Sequence, residues 1–396
     1  MKLTNRIYAD AALQNIKNVA FFTFLQVLIA RLGASNFEIA LSNVLPQLFG
    51  ALSLAFLARQ FPISRLVYLT GGYVRQFAFL SMALCVMLPH AIPWVLTFWG
   101  LNAAAVMVTE AQKPAILRKW VEPGEFPRIF STNKLIGIVI MVAGSYTIGH
   151  ALDMSDRFFP YNYVVSMLVG CLSTFAGMAL IAGLAPNDKQ PIRFRKVTPL
   201  RESDRTMWWI GLNTAGINMV APLFIIYHVK MLHLTNAQIG LFAVVSGALS
   251  ALALPLARRG IEKLGPGKIY GAAILGAAVV VLPYGWIGKF GLLVALQAWI
   301  GVCIAVQEVA SQSIMMEEAG KHRKELDYFS DYQLVMCLGN AAGALAAGGL
   351  LAIMPLWACF CVIAALRLFF LATIRLTLPL PASFFRRSRR TGHDSA

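Results

Sequence analysis

Apolar residues run along the chain in long blocks, and short polar stretches rich in arginine, lysine, glycine and proline separate them. A helix needs about 20 predominantly apolar residues to cross the hydrocarbon core of a membrane. Blocks long enough fall at roughly 11–32, 37–58, 66–88, 92–112, 133–152, 161–184, 206–228, 236–257, 269–287, 290–311, 330–354 and 356–377. The pattern therefore predicts twelve membrane-spanning helices and an all-α membrane protein. The last two blocks are separated by little more than Met354-Pro355-Leu356, where proline suits a tight hairpin.

The blocks repeat. At an offset of about 200 residues, Asn36–Arg59 aligns without a gap on Asn236–Arg259. Asn36/Asn236, Ile39/Ile239, Leu41/Leu241, Val44/Val244, Ala51/Ala251, Leu52/Leu252, Leu54/Leu254 and Arg59/Arg259 coincide. Asn18 falls on Asn218, and Glu110 falls near Glu308. Two parallel copies of one helical bundle are how many secondary transporters are built, with the site between the copies. The expected organisation is an N-terminal bundle over 1–184, a linker over 185–205, a C-terminal bundle over 206–378 and a basic tail over 379–396. The linker combines Pro186, Pro191 and Pro199 with six basic residues.

Composition narrows the class further. Hydrophobic residues make up 58% of the chain and charged residues 13%, against about 25% charged in soluble domains. A net charge of +16 raises the question of nucleic acid, but the placement of the charge argues for a bilayer. With the N-terminus placed in the cytoplasm, inner loops and tails hold most of the 34 basic residues. The outer loops hold Arg31, Arg157, Lys230 and Lys289. This asymmetry follows the positive-inside rule and predicts a multi-pass protein of the cell membrane with both termini cytoplasmic. The first block is too long for a cleavable signal and is expected to stay as an anchor. The six cysteines all lie in apolar blocks and read as packing residues.

Six plus six spans, a basic central linker and a parallel half-chain repeat resemble the major facilitator superfamily. The resemblance covers nearly the whole chain and implies two pseudo-symmetric six-helix bundles and solute transport. The family carries a cytoplasmic turn of the form G-x-L-x-D-[RK]-x-G-[RK]-[RK] between spans 2 and 3, repeated between spans 8 and 9. The second copy is recognisable in Glu262-Lys263-Leu264-Gly265-Pro266-Gly267-Lys268. The first copy, running from Arg59 through Gln60, Phe61 and Pro62 to Ser64 and Arg65, lacks both the acid and the glycine. The resemblance places Arg59, Arg65, Glu262, Lys263 and Gly265 at a gate, and with the acid lost from the first copy that half is expected to be held differently, by Arg59 reaching Asp331 at the start of span 11. A second turn, Lys119 to Arg128, has lysine where relatives often carry an acid. Drug-antiporter and sugar-porter signatures are absent, so no substrate subclass follows.

In this family spans 1, 4, 7 and 10 face the central cavity, and helical periodicity marks polar stripes on the same spans. Span 1 carries Asn15, Asn18 and Gln26. Span 4 carries Trp99, Asn102, Glu110 and Lys113. Span 7 carries Asn213, Asn218 and His228, and span 10 carries Gln297 and Glu308. Polar side chains avoid lipid, so such stripes face a bundle interior or water. Either interhelical hydrogen bonding or solute contact accounts for each amide. Glu110 and Glu308 are the sharper pair, because intramembrane carboxylates are commonly kept for ion pathways and partial desolvation tunes them for proton transfer. An ion pair of Glu110 with Lys113 or Lys134 is the structural alternative. Lys17 is expected to snorkel, and Arg75 and Arg367 to snorkel or pair. Trp94, Trp208, Trp209, Trp286 and Trp357 are expected as interface anchors.

The expected function is a secondary transporter that moves a small solute by alternating access, coupled to protons and acting as a monomer without a cofactor or nucleic acid. A transporter-like receptor or scaffold and a membrane-embedded enzyme are the alternatives. The chain shows no H-E-x-x-H, G-x-S-x-G or G-x-x-x-x-G-K-[ST] motif, which disfavours the enzyme.

Overall fold

The computed structural model describes residues 3–58, 60–61, 64–118, 120, 126–184, 200–201, 203–319 and 325–377. Among them there is no strand, and twelve long helices account for most of them. They are α1 (Leu3–Arg31), α2 (Asn36–Leu57), α3 (Arg65–Cys85), α4 (Ala91–Arg118), α5 (Phe126–Met154) and α6 (Tyr161–Ala182) in the first half. The second half has α7 (Arg205–Met231), α8 (Asn236–Leu264), α9 (Pro266–Val281), α10 (Phe290–Ala319), α11 (Glu325–Ile353) and α12 (Leu356–Thr377). Eleven have the length and hydropathy to cross a membrane. The exception is α3, whose apolar run is interrupted by Arg65, Tyr68, Arg75 and Gln76. The chain is a multi-pass integral membrane protein.

The twelve expected spans correspond one-to-one to these helices, but several ends move. α1 begins at Leu3 rather than near residue 11, which draws Asp10 into the helix with only 1% of its surface exposed. α4, α5, α8 and α10 also run one to two turns beyond their apolar blocks. Hydropathy detects the lipid-facing middle of a helix, whereas backbone hydrogen bonding continues into the polar ends.

The repeat is visible in local chemistry. α2 opens with a capping box in which Ser35 accepts from the Glu38 amide and the Glu38 carboxylate accepts from the Ser35 amide. Two hundred positions later, Thr235 and Gln238 form the same reciprocal pair at the start of α8. Such caps satisfy amides that a helix start leaves without partners. Packing repeats too. In the first half α1 lies along α5 and α6, and α4 against α2 and α3; in the second, α7 lies along α11, and α10 against α8 and α9. Across the halves, α5 packs along α8 and α2 along α11. α1 and α7 each contain a π-helical turn, Asn18–Phe22 and Ile226–Met231, a distortion that recurs at functional sites.

Two expectations about anchoring change. Lys17 does not snorkel: it is buried, donates to Gln14 Oε1 at 3.4 Å, and its ammonium stands 4.7 Å above the centre of the Phe22 ring. Trp209 is 8% exposed and packs edge-on against Tyr270 at 5.4 Å, so it belongs to the core of the second half. Trp94, Trp208, Trp286 and Trp357 are exposed.

Candidate functional site

The helices define two ends of the molecule, a terminal end where α1 begins and α12 finishes, and a far end. At the far end the two halves are joined by polar contacts. The Asp153 carboxylate, near the last turn of α5, accepts from the Asn236 amide at 2.9 Å and the Ala237 amide at 2.7 Å, both at the start of α8. It also accepts from Asn236 Nδ2 at 2.9 Å, and Arg31 of α1 lies 4.0 Å away. A carboxylate on the unpaired amides of a helix N-terminus is electrostatically favourable. Tyr163 donates to Asn236 Oδ1 at 2.6 Å, and Lys230 of α7 donates to Asn36 Oδ1 at 3.1 Å. Glycines permit the close approach: a Cβ on Gly149 would lie 2.5 Å from the Asn236 carbonyl oxygen, and one on Gly240 would lie 2.5 Å from that of Ser145.

Midway along the helices runs a belt of amides. Gln26 donates to Asn43 Oδ1 at 2.6 Å, tying α1 to α2. Asn218 of α7 donates to Asn340 of α11, which in turn donates across the halves to Gln47 of α2 at 3.4 Å. Asn43, Gln47 and Asn340 were not singled out from the sequence, because α2 and α11 are not among the spans the resemblance places at the cavity. An amide facing an amide at equal depth is the signal that marks them.

Toward the terminal end, the first half holds a buried charge network. Lys113 of α4 forms an ion pair with Asp10 of α1. Gln14 connects that pair to two more cations. Its amide nitrogen donates to Asp10 Oδ1 at 3.4 Å, and its oxygen accepts from Arg75 Nη2 at 2.8 Å and from Lys17. Asp10, Arg75 and Lys17 are 1%, 5% and 7% exposed. Glu110 is exposed and close enough for its charge to act on both Lys17 and Arg75.

The second half differs. Its core holds a neutral chain in which Gln297 donates to the Tyr284 hydroxyl at 2.7 Å, and that hydroxyl lies 2.8 Å from His228 Nε2. Arg367 is 4% exposed and donates from Nε to the Gly216 carbonyl at 3.2 Å. Glu308 is exposed, and Ser311, one turn along α10, is hydrogen-bonded to Tyr332 of α11. Among the described residues, no group of three His, Cys, Asp or Glu is placed to hold a metal ion.

Several expected cavity residues are placed elsewhere. Asn102 is fully buried and donates to the Arg75 carbonyl of α3 at 3.2 Å. Asn213 is also fully buried and donates to the Tyr270 hydroxyl of α9 at 2.7 Å. Both face outward within their own half, because periodicity groups residues on a face without saying which neighbour that face meets. Asn15 bonds back to the Ala11 carbonyl at 2.8 Å and lies against Gly137 of α5, while Asn18 is exposed. Lys113 pairs with Asp10 rather than with Glu110. Glu110 and Glu308 are exposed rather than enclosed within their own half.

At the expected gate, Glu262 pairs with Arg258 at 3.0 Å on an exposed surface. Gly265 sits at φ 87°, a left-handed conformation that favours glycine, and lets α9 start at Pro266 directly after Leu264. Lys263 and Arg65 are exposed. Asp331 is buried and accepts from the Leu200 amide at 2.9 Å. Arg59, and with it the expected pair to Asp331, lies outside the described residues, as do most of the turn after α4, the linker over 185–199 and the tail.

Residues 206–393 match the family model described as Major Facilitator Superfamily. The second half of the chain is thus similar in sequence to that family. The fold of the whole chain agrees with solved structures over almost the full length. A structure of the nucleoside transporter NupG superposes with a TM-score of 0.68 at 11% identity, covering 95% of this chain and 99% of that one. A bacterial homologue of the iron transporter ferroportin, in an inward-facing state, gives 0.67 at 10% identity, covering 94% and 100%. A POT family transporter in complex with 5-aminolevulinic acid gives 0.72 at 10% identity, covering 94% and 95%. At such identities the likeness is one of fold. No curated protein matches the chain in sequence. The family is one of membrane transporters rather than of enzymes.

Proposed function

We propose that this protein is a secondary active transporter that moves a small solute by alternating access and is driven by protons. It acts as a monomer in the cell membrane, with the terminal end in the cytoplasm. The basic loops at that end support the orientation. The observation that carries the reading is the joint between the halves. At the far end Asp153, Asn236, Tyr163 and Lys230 hold α5 and α6 to α8 and α2 to α7, whereas Glu110 and Glu308 toward the other end are exposed. Such polar contacts can be broken and remade when one half rocks against the other. The amide belt of Gln26, Asn43, Gln47, Asn218 and Asn340 suits a polar solute held between the halves. Glu110 and Glu308 lie on the pathway of the coupling proton, with Glu110 favoured because it joins a charge network.

Spin labels at Arg157→Cys and His233→Cys, exposed positions at the far end on opposite halves, test the motion in a cysteine-free background. Pulsed distance measurements in bilayers should give two populations, and Asp153→Ala should enrich the longer one. One invariant distance in both proteins would refute alternating access. Glu110→Gln and Glu308→Gln, singly and together, should abolish pH-gradient-driven flux in proteoliposomes, and unchanged flux in all three would refute their coupling role.

A further inference from the structure

The charge network of the first half has a composition that points to the solute. Asp10 and Lys17 come from α1, Arg75 from α3, and Glu110 and Lys113 from α4. Among the described residues that is three cations and two acids, an excess of one positive charge, with Asp10, Arg75 and Lys17 buried. An uncompensated buried charge is costly in a membrane core, and an added anion relieves the cost. Arg75 Nε is buried without a hydrogen-bond partner, a donor that the network leaves over.

The network is closed on one side and open on another. Gly177 of α6 approaches so closely that a Cβ there would lie 2.7 Å from Asp10 Oδ1, which leaves no room for a solute. The Lys113 side chain is 20% exposed, against 1% for Asp10, and Glu110 one turn away is exposed. Lys113 is therefore the cation that a solute meets, and Asp10 is the group occupying it. The other ionisable groups facing Asp10 are Tyr68 and Arg75 from α3, Glu110 from α4 and Lys17 from its own helix; α6 presents Gly177 there, with Cys171 nearer Arg75.

We propose that the solute is an organic anion whose anionic group replaces Asp10 on Lys113, while a proton moves onto the Asp10 carboxylate. This assignment rests on the transport reading above and adds the substrate class to it. The step balances: hydronium from the aqueous side gives its proton to an Asp10 oxygen, one O–H bond breaking as another forms and water leaving, and the Lys113 ammonium exchanges one anionic partner for another. The charge of the loaded site equals that of the empty one, so a monovalent anion and one proton cross together without net charge movement. A neutral solute leaves the Asp10–Lys113 pair closed, and a cation is repelled by the three basic groups.

The test uses the purified full chain and isosteric probes of different charge: benzoate, benzamide and benzylamine, with lactate, glucuronate and glucose beside them. Binding is read as thermal stabilisation. At least one of the three anions should stabilise the protein, and the apparent affinity should strengthen as the pH falls from 7.5 to 5.5, by up to about tenfold per unit where proton and anion binding are fully linked. Benzamide, benzylamine and glucose should be silent. Lys113→Gln should lose the response and Lys113→Arg keep it. Asp10→Asn, which imitates the protonated acid, should bind the anion at pH 7.5 as tightly as the parent does at pH 5.5. If Lys113→Gln does not fold, the double variant Asp10→Asn/Lys113→Gln removes both charges together and should also fail to respond. Silence of all three anions, an equal response to benzamide, or a full anion response in the Lys113→Gln variants overturns the proposal. The far-end distances separate the two readings. If the far end opens while anions stay silent, only the substrate class falls; if it never opens, the transport reading itself fails.

Discussion

The two halves share one fold and carry different chemistry. The core of the first half contains an ion pair, Asp10–Lys113, wired through Gln14 to Arg75 and Lys17. At the corresponding depth the second half has Asn213 on Tyr270, and its neutral chain of Gln297, Tyr284 and His228 lies toward the far end. The paired caps at Ser35 and Thr235 show that backbone-level features survived duplication. The buried side chains diverged. Packing and capping are needed in both copies for the bundle to form, whereas a charge-exchange site needs to exist in one copy only.

Breaking the ion pair should therefore produce the largest effect. Lys113→Ala leaves the Asp10 carboxylate buried without its cation, and removing one partner of a buried pair typically costs about 3–5 kcal/mol. We expect a lower unfolding temperature in detergent and low yield. Asp10→Asn/Lys113→Met should restore much of the stability, since neither buried charge remains. A full loss in the double variant would mean that the pair shapes the fold rather than the site.

The contact between halves comes next. Gly149→Val places a branched side chain where a Cβ would already stand 2.5 Å from the Asn236 carbonyl oxygen. Overpacking of this kind costs about 1–3 kcal/mol. Here the cost is relieved by parting α5 from α8, so it should shift the far-end distances toward the open population with little change in unfolding temperature. Loss of folding without a shift would place the strain inside the first half. Asp153→Asn is milder. The amide keeps one acceptor for the start of α8 and loses the negative charge that Arg31 and the helix dipole favour, a change of about 0.3–1 kcal/mol. It should move the same equilibrium in the same direction by a smaller step.

Much of this arrangement was legible in the residues, and the unread part has specific causes. The twelve spans, the 200-residue repeat and the acid at the start of α2 follow from apolar runs and helix-end chemistry, which are local. Asp10 escaped notice because it precedes the first apolar block, and hydropathy alone starts the helix after it. The pairing of Lys113 with Asp10 instead of Glu110 joins residues about a hundred positions apart, which no single-helix pattern encodes. Asn102 and Asn213 sit on polar stripes as expected, yet each turns to a neighbouring helix of its own half. Where a stripe points depends on which helices pack around it, and that is set by the whole bundle.

Arg75 and Arg367 offer the finest test of the difference between halves. Both are buried arginines in helices that form the outer row of their bundle. Arg75 holds Gln14 at 2.8 Å and lies within reach of the Glu110 and Asp10 charges. Arg367 donates to one backbone carbonyl, and among the described residues no carboxylate pairs with it. Arg75→Met should cost about 1–3 kcal/mol, because a charged hydrogen bond is lost and buried polar groups keep no donor. Arg367→Met should change stability by less than about 1 kcal/mol, because the burial cost of a lone guanidinium offsets the single bond it makes. Unfolding temperatures of the two variants measured side by side decide it. A marked loss for Arg367→Met would reveal a charge partner in the second half and make the two cores more alike than their contacts suggest. Near-neutrality would confine the buried arginine with charged neighbours to the half that carries Asp10.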